Sequence, residues 1–289
     1  MQAHGEAAGA AEKQDAVHWS VGCQARPWML ALGETFPQRL PEVMAAIAAI
    51  GFAGFETRLN HLPLDDPKGF AAASQQAGGL ALCGAHLGGT WWSPEGEASI
   101  PGIVAQARKL PALGCRHLVV SMAALSPDTT GAHLDRMVAT LALLGEECHT
   151  AAGVTLALHN HAAELADDAR ILHVLMDGTP PECVSLAADL GWVAHTGADV
   201  PAFLRRFGPR IGYLHLRDLT AVPHGKWTEV GRGVLDYRAI LAALDEIGYG
   251  GWLVAESEFD ADIPGPTEPH DTAEAQYRGL RAALGAMGA

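Results

Sequence analysis

Short apolar runs of four to six residues alternate along this chain with longer stretches in which apolar positions recur every three or four residues. The short runs suit strands buried on both faces and the longer ones suit amphipathic helices, so the alternation predicts βα units feeding a parallel sheet. The strand runs are Trp19–Cys23, Phe52–Thr57, Leu80–Ala85, His117–Ser121, Val154–His159, Val184–Ala188, Ile211–His215 and Trp252–Glu256. Helical patterns fall at Pro41–Ile50, Lys68–Ala77, Ile100–Leu113, Ala132–Ala152, Ala169–Met176, Val200–Phe207, Tyr237–Ile247 and Thr272–Leu284. In the first helix Val43, Met44, Ile47 and Ile50 share a face, Pro41 suits the first turn where its missing N–H costs nothing, and Gly51 ends it.

Eight such units with no break in composition predict one α/β domain, a (β/α)8 TIM barrel over residues 18–289, rather than an open doubly wound sheet. The glycine fingerprints of the open folds, GxGxxG after the first strand or GxxxxGK[ST], do not occur. Residues 1–17 are rich in Ala, Gly and Glu and lack the basic and apolar regions of a signal peptide, so they are expected to form a disordered tail.

Charge and cysteine content narrow the partners. A formal net charge of −14 argues against a nucleic-acid or anionic-membrane surface, since phosphate binding needs positive charge to displace counterions. No apolar stretch is long enough to span a bilayer, and five cysteines without a CxxC pair read as buried thiols in a reducing compartment; a cytoplasmic protein is expected.

Four apolar runs of the second half end in residues that carry chemistry: His159, Asp189, His215 and Glu256. Strand ends of such a barrel converge on its C-terminal rim, so two imidazoles and two carboxylates would meet there as a divalent-metal site. In His159-Asn160-His161 the two imidazoles alternate, so only one aims into the mouth if the strand continues. Asp189 could instead cap the following helix. His215 and Arg217 share a face; Arg217 either holds a substrate oxyanion or pairs with Asp218 or Glu256. Glu256 and Glu258 also share a face, and two carboxylates that close call for a cation.

Further rim candidates are Glu56 and His86, which each follow a strand of the first half, along with Gln24 and Arg58. Trp92, in the Trp91-Trp92 pair, and Trp192 could stack on the apolar face of a sugar, and Glu229 lies in a glycine-bearing loop after the seventh strand.

The segments LALHNHAAEL (156–165), AADLGWVAHTGAD (187–199), YLHLRD (213–218), EVGRGVLDY (229–237) and GYGGWLVAESE (248–258) resemble the sugar-phosphate isomerase/epimerase superfamily of xylose-isomerase-like TIM barrels, in order and over nearly the whole chain from Trp19. The chain is most similar to its YHNHxxEF branch. The resemblance implies one bound Mn2+, with Mg2+, Co2+ or Zn2+ as alternatives, and Asp189, His215 and Glu256 match three ligand positions. His159 stands where better-known members carry Glu, leaving His159 or Glu164 as the fourth ligand. The implied activity is isomerisation or epimerisation of a keto-sugar or polyol through an enediolate. Glu256 would move the proton, with His161, Glu164 or Glu56 serving the opposite face and Arg217 and His86 positioning oxygens. The alternative is a lyase or dehydratase acting on a keto-inositol or 3-keto-glycoside; an endonuclease IV-like phosphodiesterase fits the acidic charge poorly, and a non-catalytic sugar-binding barrel is the third reading. Dimers or tetramers are common among such barrels.

Overall fold

The computed structural model describes residues 19–123, 125, 129, 131–257 and 268–286; the expected tail at 1–17 and Glu258 lie outside them. Eight parallel strands close into a barrel in chain order: β1 (Ser20–Gln24), β2 (Gly54–Arg58), β3 (Ala81–Gly89), β4 (His117–Met122), β5 (Thr155–His159), β6 (Val184–Asp189), β7 (Ile211–Leu216) and β8 (Trp252–Ala255). β1 pairs with both β2 and β8, so no strand edge is left in the barrel.

Alternation along each strand sorts side chains between two cores. Leu156 and Leu158 of β5, with Leu214 and Leu216 of β7, face outward into the large cluster shared with the helices. Cys83, Val119, Ala157, Ala187, Tyr213 and Val254 form a separate cluster inside the barrel. Glycines let large rings fill that interior: a Cβ on Gly54 would lie 2.8 Å from the Trp252 ring, and one on Gly84 would lie 2.7 Å from Tyr213 Oη.

Two residues further along, the inward positions become polar on every strand: Gln24, Glu56, His86, Ser121, His159, Asp189, His215 and Glu256. This ring crowns the packed interior at the C-terminal end of the strands. Register shifts at Phe55/Glu56 and Leu186/Ala187 sit just below two of its members, where a bulge re-aims the side chains that follow.

The helices differ from the expected ones mainly at their starts. Helix Pro94–Ala107 begins six residues before the predicted Ile100, because Ser93 accepts from Gly96 N–H as an N-cap and Pro94 occupies the first turn. Helix Ala162–Gly178 extends the predicted Ala169–Met176 toward the N-terminus but is broken at Ala166–Ala169, where Asp167, Asp168 and Ala169 all have positive φ. Two short helices, Arg26–Leu32 and Leu190–His195, follow β1 and β6 directly and were not expected.

Candidate metal centre and active site

His159, Asp189, His215 and Glu256 come together: each offers a ligand atom, and those atoms all lie within 4.8 Å of one another, from four buried side chains. His159 Nε2 is 3.5 Å from both Asp189 Oδ2 and Glu256 Oε2, and His215 Nδ1 is 3.0 Å from Glu256 Oε2. The backbone divides the labour of Asp189. Its Oδ1 caps helix Leu190–His195 by accepting from Trp192 N–H at 2.9 Å, one of the two uses expected of this residue, and Oδ2 stays with the cluster. Asn160 clasps the same strand end, its Oδ1 accepting from Asp189 N–H at 3.0 Å.

The donor set fits a divalent ion. Two imidazoles and two carboxylates suit Mn2+, Co2+ or Zn2+, and His159 Nε2 and His215 Nδ1 both face the Glu256 carboxylate. His215 Nε2 meets Glu56 Oε2 at 2.7 Å, the carboxylate contact that commonly orients a ligating imidazole.

Arg217 lies against the same carboxylates. Its Nε donates to Asp189 Oδ2 at 2.9 Å, its Nη2 also contacts that oxygen, and Nη2 lies 3.2 Å from Glu256 Oε2. The Asp218 carboxylate accepts from the backbone N–H groups of Leu219, Gly231, Gly233 and Leu235. The guanidinium is held flat by Trp227 at 4.5 Å and Trp192 at 5.5 Å, and a Cβ on Gly191 would collide with the Arg217 side chain. The pattern Asp-Leu-Gly-Trp thus supplies a candidate ligand, a gap for the arginine and an aromatic wall.

The protonation states follow the crowding. Burial opposes charge on His215, but Glu56 and Glu256 outweigh it and push the imidazole up to about 10. Burial likewise opposes ionisation of Glu256 and Asp189, and Arg217 foremost holds both carboxyls below their usual range. Burial and the neighbouring His159 bring His161 down to about 4.

A cavity of about 890 Å3 opens above the ring, lined among others by Gln24, Glu56, His86, Ser121, His159, His161, Trp192, Arg217 and Glu256. Three expected site residues lie elsewhere. Glu164 uses its carboxylate to accept from His161 N–H at 2.8 Å, which caps helix Ala162–Gly178. Trp92 packs on the hydrophobic cluster while Trp91 donates to the Ser121 carbonyl, and Glu229 accepts from the Thr228 hydroxyl. Neither Trp92 nor Glu229 lines the cavity. Ser121 and Trp227 had not been singled out. Ser121 sits at a strand end like its neighbours in the ring, and that position was the available signal; Trp227 lies in a two-residue strand, Trp227–Thr228, paired with Asp218–Leu219, for which no periodicity exists.

Comparison with known proteins agrees with this architecture. The chain is 27% identical over 265 residues to an inosose dehydratase of Geobacillus kaustophilus (strain HTA426), covering 81% of this chain and 84% of that protein. It is 28% identical over 263 residues to the inosose dehydratase of Geobacillus thermodenitrificans (strain NG80-2), covering 81% and 86%. Among solved structures, an L-ribulose 3-epimerase superposes with a TM-score of 0.73 at 21% identity over 94% of this chain and 96% of its own. A 3-keto-D-glucoside 4-epimerase from E. coli superposes with 0.67 at 19% identity over 93% and 100%. Residues 44–283 match a family model, and with the closed barrel and its rim of donors this shows that the chain belongs to the xylose isomerase-like TIM barrel family.

Proposed function

We propose that this protein is a metal-dependent dehydratase of a keto-inositol or a closely related cyclic keto-polyol. The observation that carries the reading is the pairing of a clustered two-histidine, two-carboxylate donor set with a cavity of mixed polar and apolar lining, large enough for a six-carbon ring. Relatives named inosose dehydratases, aligned over four-fifths of the chain, give the substrate class. They also move elimination ahead of the isomerisation or epimerisation favoured by sequence resemblance.

His159, Asp189, His215 and Glu256 would hold one divalent ion, Mn2+ first, with Mg2+, Co2+ and Zn2+ as alternatives. When bound, it would polarise a ketone and stabilise the negative charge that follows loss of the neighbouring C–H proton. Arg217, fixed between Trp192 and Trp227, places a permanent cation beside the same oxygens. Trp192 gives the ring an apolar wall, and His161, neutral at pH 7, provides a hydrogen-bonding edge beside it. Glu256 serves as ligand and contacts the reacting end of the substrate.

The second reading is epimerisation: the same enediolate takes a proton back instead of expelling a hydroxyl, and the epimerases that share the fold favour it. The test is incubation of Mn2+-loaded protein in 2H2O with keto-inositols and ketohexoses, followed by mass spectrometry. Loss of one water from the keto-inositol is expected. Deuterium at carbon without loss of water would move the protein to the epimerases, and neither change with any of these compounds would reject both readings.

A further inference from the structure

In the first half of the ring a hydrogen-bonded chain runs across three adjacent strands. His86 Nδ1 lies 3.1 Å from Glu56 Oε1, and His86 Nε2 lies 3.0 Å from Ser121 Oγ. Glu56 is fully buried, and its two oxygens also take Gln24 Nε2 at 2.8 Å and His215 Nε2 at 2.7 Å. A carboxylate so placed accepts at Nδ1, so the hydrogen of His86 belongs on Nδ1 and the lone pair of Nε2 faces Ser121 and the cavity.

The geometry points to His86 as the group that carries the proton in the reaction, oriented by Glu56 and assisted by Ser121. This rests on the dehydratase reading above. The other candidates are held more firmly: Glu164 caps a helix, the His161 side chain accepts from the Glu164 backbone N–H, Glu56 has no exposed surface, and Glu256 Oε2 is shared among His159, His215 and Arg217, whereas His86 Nε2 meets a serine hydroxyl that can rotate away. The His86 ring lies 5.6 Å from that of His159 and 6.2 Å from that of His215. One substrate can therefore place its ketone toward the charged half of the ring and the adjacent C–H toward His86.

The step closes in atoms and electrons. Nε2 of His86 takes the proton from the carbon next to the ketone, and the C–H electron pair forms the enediolate. That pair then makes the carbon–carbon double bond as the hydroxyl on the next carbon departs and the ketone re-forms. The proton on Nε2 goes to the departing hydroxyl, which leaves as water, and His86 returns to its starting form. One residue acts as base and then as acid on a single face of the ring, so no outside proton is consumed.

The test compares wild type, His86→Ala, His86→Gln and Ser121→Ala, all Mn2+-loaded, on keto-inositols. For His86→Ala, kcat is expected to fall by about 10²–10⁴ with KM little changed, the usual size of a lost general base. Mn2+ stoichiometry by calorimetry should stay at the wild-type value, and free imidazole should restore part of the rate to His86→Ala. His86→Gln should lose the same rate without rescue because its side chain fills the space, and it carries the comparison if the alanine variant folds poorly. For Ser121→Ala a fall of about tenfold is expected, the size of one lost hydrogen bond. Wild-type turnover in both His86 variants, or a loss that follows Mn2+ binding and does not respond to imidazole, overturns this inference alone. A wild-type protein inert toward every keto-inositol overturns it together with the dehydratase reading.

Discussion

The two halves of the barrel mouth are built from the same ring positions but solve opposite problems. β5 to β8 present His159, Asp189, His215 and Glu256, packed closely with Arg217 so that ionic contacts join all five side chains. β1 to β4 present Gln24, Glu56, His86 and Ser121, joined by hydrogen bonds, with His86 and Ser121 reaching the cavity. One half concentrates charge out of contact with water, where each charge depends on its partners. The other orients a neutral imidazole. Glu56 belongs to both halves through His215, so the orientation of the second is tied to the occupancy of the first.

The largest way to break this contrast is to remove one charge from the crowded half. Asp189→Ala leaves Arg217 and His159 short of a counter-ion and strips a helix cap, and a loss of about 3–5 kcal/mol in urea unfolding is expected, with Mn2+ binding abolished. Stability within 1 kcal/mol of wild type would mean that the guanidinium does not depend on Asp189.

The titration of the same half gives the next effect. With His215 at about 10 in the metal-free protein, the imidazole is protonated at pH 6 to 8, and a bound ion must displace that proton. Apparent Mn2+ affinity should rise by about tenfold per pH unit over that range and level off as pH approaches 10. Calorimetry in buffers of different ionisation enthalpy should detect one proton released per ion; affinity independent of pH would exclude His215 as a ligand.

Gly191→Ala tests the seating of the arginine. The new Cβ collides with the Arg217 side chain, and about 1–3 kcal/mol should be lost to strain, read as a shift in thermal unfolding. In the neutral half the expected effect on the fold is smallest: Ser121→Ala removes a single hydrogen bond and should cost about 0.5–1.5 kcal/mol, with Mn2+ affinity unchanged. A fall in Mn2+ affinity would show the halves to be coupled through Glu56 more tightly than their contacts suggest.

This contrast also explains what the sequence made legible. The barrel follows from eight apolar runs, whose observed starts and ends mostly lie within two residues of those expected, because strands buried on both faces cannot carry polar residues until they leave the core. The charged half was visible since His, Asp and Glu at the end of an apolar strand are chemically conspicuous. Ser121 holds an equivalent place, but a serine at a strand end has many bland uses. The helices Arg26–Leu32 and Leu190–His195 are too short for a 3.6-residue period to show, and Pro94 and Ser93 announced a helix start ahead of any apolar periodicity. The position of Arg217 was foreseen but not its enclosure, since Trp227 arrives from a loop ten residues further along.

That loop is anchored by Asp218, whose carboxylate gathers the backbone N–H groups of Leu219, Gly231, Gly233 and Leu235. Such a knot makes the roof over Arg217 part of the folded framework, with its ordering entropy spent at folding and not at each encounter with substrate. Amide exchange at Gly231 and Gly233 should accordingly be slow for a loop. Anyone wishing to retune the specificity of this protein would find little give above the charged half, and should look to the opposite wall around Met29, Arg58 and His61.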